Sequence, residues 1–169
     1  RRCSSATRTR RYSISTGIAT GPAGRIYSYY SSAIKLLTIT PQGVVALEPN
    51  DWKFSGSGTL RADGTLLTLT NGTVLDAQAG KTMATLPYAG IVRPDVDAKR
   101  IYLLSDQGGG IRRLRAYDTE RYSEAGYLDV TGVSGSTARL IRWGESGLAF
   151  RTATQVFILN STLVPLAGT

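Results

Sequence analysis

The chain has 169 residues, with 20 basic against 12 acidic side chains, no histidine and a formal net charge of +8. Without an imidazole, Ser-His-Asp and Cys-His proton shuttling are excluded, and the single cysteine, Cys3, has no partner for a disulfide or a CxxC metal site. Hydrophobic residues make up 41% of the chain, but the apolar runs are only a few residues long, far short of the roughly 20 that a spanning helix needs, so no membrane span is expected.

Residues 1–10 read as a basic tail, expected to be disordered, and residues 11–169 as a repeat domain. Arg1, Arg2, Arg8, Arg10 and Arg11 place five positive charges and no acid at the start, which leaves 15 basic against 12 acidic residues for the remainder. Most of the net charge is therefore terminal. "RRCSSATRTRRYSIST" has the Arg-, Ser- and Thr-rich composition of a transit peptide, but a solvated or processed terminus explains it as well. Binding of nucleic acid or another polyanion through this segment is the alternative. It is not favoured, because no stripe of basic residues interleaved with aromatics accompanies the tail.

Beyond the tail the chain is punctuated by 19 glycines and shows no segment with a convincing helical period. The pattern is one of short strand-like runs. The first unit, about residues 11–49, contains "GRIYSYYSSAIKLLTITPQGVVALE". The second, about 56–88, contains "GTLLTLTNGTVLDAQAGKTMATLP". The third, about 89–131, contains "KRIYLLSDQGGGIRRLRAYDTERYSEAGYLDV", and the fourth, about 136–168, contains "SGLAFRTATQVFILNSTLVPL".

Asp76, Asp118 and Asn160 close equivalent runs and recur at an interval of 42 residues; Gly80, Tyr122 and Val164 follow four residues later, where the chain should turn. Thr40 holds the matching place in the first, less regular unit. "ADGT" from Ala62, "VDAK" from Val96 and "GESG" from Gly144 occupy one equivalent position, a tight turn between the first and second strands, where Asp and Gly tolerate positive φ. Units of this length with four strands each have the size of propeller blades. The expected fold is all-β: a β-propeller or partial propeller of about four blades, each of four antiparallel strands.

"PDVDAKRIYLLS", "IRRLRAYDTERYSEAGYLDVTG" and "ARLIRWGESGLAFRTATQVFILNSTLV" resemble the repeats of secreted bacterial β-propellers of the YVTN and quinoprotein-like kind. The likeness lies in a Tyr-Asp pair closing the third strand, here Tyr117-Asp118, and a Trp-Gly turn before a Gly-Leu-Ala-Phe strand, here Trp143-Gly144 and Gly147 to Phe150. It implies a propeller and an extracellular or cell-envelope location. The group includes lactonases, dehydrogenases and many binding or surface scaffolds. This chain departs from its enzymes in lacking histidine and any recognisable cofactor constellation.

Ser146 sits in a Gly-x-Ser-Gly sequence that falls one residue short of a nucleophile elbow and precedes a strand, so it reads as a hairpin corner. Asp95 and Asp97 resemble the start of a calcium loop but lack its glycine and distal glutamate, and read as a turn. "DQGGGIRR" is the better candidate for a ligand-contacting edge: Asp106, Gly108, Gly109, Gly110, Arg112 and Arg113 form a glycine-rich insertion beside two cations. Trp52, with Phe54 and Trp143, is a candidate stacking platform, although aromatics packed between blades explain it too.

No catalytic residue, metal or cofactor is expected. The reading is a non-catalytic binding or scaffold module, a subunit or piece of a larger ring, with a protein or carbohydrate partner or a second copy completing it. A lactonase-like or glycan-active hydrolase is the enzymatic alternative, and would need two carboxylates converging at one mouth of the ring.

Overall fold

The computed structural model describes residues 17–30, 33–47, 52–53 and 58–166; the Arg-rich tail, Cys3 and Phe54 lie outside these. The described residues form four antiparallel sheets arranged as propeller blades. The first holds β1 (Gly17–Thr20), β2 (Arg25–Tyr30), β3 (Ala33–Thr40) and β4 (Gly43–Ala46), with the two-residue β5 (Trp52–Lys53) pairing the start of β3. The second holds β6 (Leu60–Asp63), β7 (Leu66–Leu69), β8 (Thr73–Asp76) and β9 (Lys81–Thr85). The third holds β10 (Ile91–Asp95), β11 (Arg100–Gly108), β12 (Ile111–Asp118) and β13 (Glu124–Val130), and the fourth β14 (Arg139–Trp143), β15 (Gly147–Arg151) and β16 (Val156–Asn160).

Two details depart from the expected four strands per unit. In the first sheet the outer edge of β3 is shared by β4 and β5, so the blade runs on to Lys53. In the fourth sheet three strands are present among the described residues. After β16 the amides of Leu163 and Val164 turn back onto Ser161, at 3.2 Å to its Oγ and 2.9 Å to its carbonyl oxygen, and Pro165 has no N–H to offer a ladder. No helix among the described residues is long and apolar enough to cross a membrane.

The sheets stack because their strands are apolar on both faces. Side chains alternate across a strand, so consecutive apolar residues serve opposite neighbours. In the second sheet Leu67, Leu69 and Leu75 pack with Tyr27, Tyr29, Ile34 and Leu36 of the first, while Leu66 and Val74 join Val92, Ile101 and Leu103 of the third. In the third sheet Tyr102, Leu104 and Leu114 turn the other way, onto Leu140, Leu148 and Phe150 of the fourth. The innermost strands β1, β6, β10 and β14 thereby come to lie side by side in chain order.

The 42-residue interval between Asp76 and Asp118 has a hydrogen-bonding cause, and after Asn160 the acceptor is Ser161 instead. Asp76 Oδ1 accepts the N–H groups of Gln78 and Ala79 at 2.6 and 3.1 Å, and Asp118 Oδ1 accepts those of Glu120 and Arg121 at 3.1 and 2.6 Å. Each carboxylate so folds the turn that leaves the third strand. Gly80 and Tyr122 then take positive φ at 62° and 56°, donating to the Asp76 and Asp118 carbonyls. Thr40 plays the same part in the first sheet through its hydroxyl, which accepts the Gln42 N–H at 3.3 Å.

The Ser123 hydroxyl and the surrounding amides hold the Asp118 carboxyl down from 3.8 to about 2. A depressed carboxyl stabilises the fold above its ordinary titration range, and the contribution is lost as pH falls through the folded value. Asp118→Asn should therefore lower the thermal midpoint at pH 6, and its deficit relative to wild type should shrink as pH falls from about 4 toward 2. Unfolding scans across that range check it; a deficit independent of pH would contradict it.

Candidate functional site: the mouth of the inner strands

The glycine-rich insertion is the tip of the β11–β12 hairpin. Gly108, Gly109 and Gly110 take positive φ in succession, at 80°, 58° and 76°. Its charges are committed within the fold. Asp106 Oδ1 accepts the Gly108 N–H at 2.8 Å and Arg112 Nη1 at 2.6 Å, while Arg112 Nη2 donates to the Gly135 carbonyl at 2.9 Å. Arg112 is only 7% exposed. Arg113 forms a two-pronged pair with Asp129 at 2.6 and 2.7 Å and lies over the Tyr127 ring. What faces outward is the backbone of Gly108 and Gly109, with open space around both.

Trp52 is 8% exposed and packs in the core between the first two sheets, with its ring 6.2 Å from that of Tyr27. A Cβ on Gly80 would lie 2.4 Å from the indole Nε1, so the left-handed glycine at that turn also makes room for the tryptophan. Trp143 lies at the other end of the molecule, half exposed on the outer face of the fourth sheet.

Asp95 has both oxygens engaged: Oδ1 accepts the Ala98 N–H at 3.1 Å, and Oδ2 pairs with Arg142 at 2.9 Å. That pair ties the third sheet to the fourth, and Arg142 also donates to the Glu145 and Pro165 carbonyls. Among the described residues no group of three or more His, Cys, Asp or Glu is placed to hold a metal. Ser146 lies exposed in the β14–β15 hairpin, as its flanking glycines predict.

The cavity that gathers residues from all four sheets is elsewhere. Where β1, β6, β10 and β14 converge they enclose about 250 Å³, bounded by Ile18, Leu60, Pro94 and Ile141 and by three arginines, Arg61, Arg93 and Arg139. No carboxylate of the described residues lines it, so a hydrolytic pair at this mouth gains no support. None of the three arginines has an ion pair within the described residues, in contrast to Arg112, Arg113, Arg115 and Arg142. Arg93 Nε is buried without an acceptor. Burial, and secondarily the charge of Arg139, push the Arg61 guanidinium below its ordinary value.

These cations were legible in principle. Arg61 and Arg93 each stand two residues before the aspartate that ends the first strand of their blade, Asp63 and Asp95, so reading charge along the repeat would have put both on inner strands. Arg139 has no such signal.

No family model matches the chain, and no curated protein matches it. Among solved structures it is similar to apo AztD from Citrobacter koseri, with a TM-score of 0.61 and 14% identity over 90% of this chain and 46% of that one. A second crystal structure of Citrobacter koseri AztD gives a TM-score of 0.62 at 14% identity, covering 90% of this chain and 45% of that one. At this identity the likeness shows the fold. The chain spans less than half the length of either structure.

The hairpin staple can be tested directly. Arg112→Ala removes a buried guanidinium and its charge-assisted bonds and should cost about 2–3 kcal/mol, whereas Asp106→Asn, at an exposed position, should cost less than about 1 kcal/mol. Urea unfolding of the two variants measures the contrast; equal losses would mean that the Gly135 contact contributes nothing.

Proposed function

We propose that the chain is a non-catalytic β-propeller scaffold that works by association, its fourth blade docking onto the first blade of a second copy. The observation that carries this is the outer face of the fourth sheet. Ile141, Ala149 and Ile158 stand in register across β14, β15 and β16, with Trp143 and Val156 beside them. Val156 is 73% exposed, and Trp143 and Ile158 are each 52% exposed. At each of the three junctions inside the molecule, a face of this kind is covered by the next blade. An apolar sheet face left open is a docking or aggregation surface.

A second copy suits it because the first sheet also carries exposed apolar side chains, with Ile18, Ile39 and Val44 on the side away from the second sheet. Two sets of four blades would make a ring of the length of the AztD chains, of which this chain spans less than half. In this reading the Gly108–Gly109 tip is the edge open to a protein or carbohydrate partner. The repeat resemblance supports an extracellular or cell-envelope location.

Light scattering coupled to gel filtration should give twice the 18.1 kDa chain mass, and Ile158→Lys should return a folded species of one chain mass with an unchanged circular dichroism spectrum. A wild-type chain that stays monomeric at about 50 μM, well above the micromolar affinities of standard interfaces, would overturn the reading.

A further inference from the structure

We propose that the mouth of the inner strands is a binding site for a small oxyanion carrying two or more negative charges, a polycarboxylate or a phosphate, held by Arg61, Arg93 and Arg139. The three come from different blades, β6, β10 and β14, and their side chains share one cavity. The arginines most withdrawn from water each have an acid, Asp106 for Arg112, Glu124 for Arg115 and Asp95 for Arg142, whereas at the mouth Arg61 and Arg93 are half-buried and Arg139 is exposed. At the mouth that compensation is missing, although the chain has acids one strand-length away. Asp63, two residues past Arg61, turns instead to the Val96 amide at 2.8 Å.

An uncompensated guanidinium in a partly buried site is costly, and a second one nearby adds repulsion. Both strains are visible here, in the orphaned Arg93 Nε and in the mutual charge of Arg61 and Arg139. An anion relieves both at once. The guanidinium fork matches carboxylate and phosphate oxygens, and the buried Leu60 and Pro94 flank the arginines. Three cations favour a multivalent anion over acetate or chloride, and a cavity of about 250 Å³ admits a small molecule. Ile18 and Ile141 border both the mouth and the docking faces, whereas Ile158 lies outside the mouth, so Ile158→Lys separates the two readings.

The test is isothermal titration of the wild-type chain at low ionic strength with citrate, inorganic phosphate and acetate. Citrate or phosphate should bind at least tenfold more tightly than acetate, and whichever of the two is tighter names the anion class. Arg61→Gln combined with Arg93→Gln should weaken that binding at least tenfold, while Arg121→Gln, at an exposed arginine away from the mouth, should leave it unchanged. Without anion, the double variant should melt at or above the wild-type temperature, because it removes unpaired charge. Citrate should then raise the melting temperature of the wild type and of Ile158→Lys, but not of the double variant. Equal binding of acetate and citrate, retention of binding by the double variant, or a lower anion-free melting temperature for it would each overturn the assignment.

Discussion

The whole arrangement depends on sheets that are apolar on both faces. A strand such as Ile101-Tyr102-Leu103-Leu104 cannot be half solvated: Ile101 and Leu103 face the second sheet, and Tyr102 and Leu104 face the fourth. All four are essentially inaccessible to solvent. Each fully buried side chain of this kind is worth about 1.5–3 kcal/mol, so a sheet isolated from either neighbour would lose several such terms at once. Stacking in an arc is the way to cover both faces of successive sheets. The curvature that follows brings the first strands of all four to one place. The mouth is thus a consequence of packing, and its composition is free to serve binding.

Charge is distributed to match. The acids Asp76 and Asp118 sit where the third strand of a blade ends and accept backbone amides, which shapes turns. Other acids cross between elements to arginines, as Asp95 does to Arg142 and Asp129 to Arg113. These are structural uses of the carboxylates. The inner-strand arginines Arg61, Arg93 and Arg139 stand outside this pairing.

Much of the architecture was legible in the sequence because turn chemistry repeats more faithfully than core residues do. The Asp76 to Asp118 interval reflects a local hydrogen-bonding need, while after Asn160 it is Ser161 that accepts the turn amides, and the "ADGT", "VDAK" and "GESG" turns all carry a left-handed residue, Gly64, Lys99 and Gly144. Strand count was less accessible. Whether a segment pairs depends on neighbours distant in sequence, so nothing local announced that β5 would share an edge with β4. That the last blade shows three strands among the described residues follows from a turn at Ser161 and the lack of an N–H at Pro165. The glycine-rich insertion drew notice for its flexibility and charge, yet its arginines pair with Asp106, six residues away, and Asp129, sixteen away. Pairing of that kind is a tertiary fact.

Mouth and outer face differ in what their exposure means. Trp143, Val156 and Ile158 are apolar and solvated, a state that water disfavours and that a neighbouring blade corrects by covering area. Arg61 and Arg93 are cationic and half withdrawn from water, a state that only an opposite charge corrects. Area is satisfied by any complementary apolar surface, so the outer face specifies little beyond another sheet. Clustered charge is satisfied by few groups, so the proposed ligand selectivity rests with the mouth. The two surfaces meet at Ile18 and Ile141, which border both, so a change at either residue acts on assembly and recognition together.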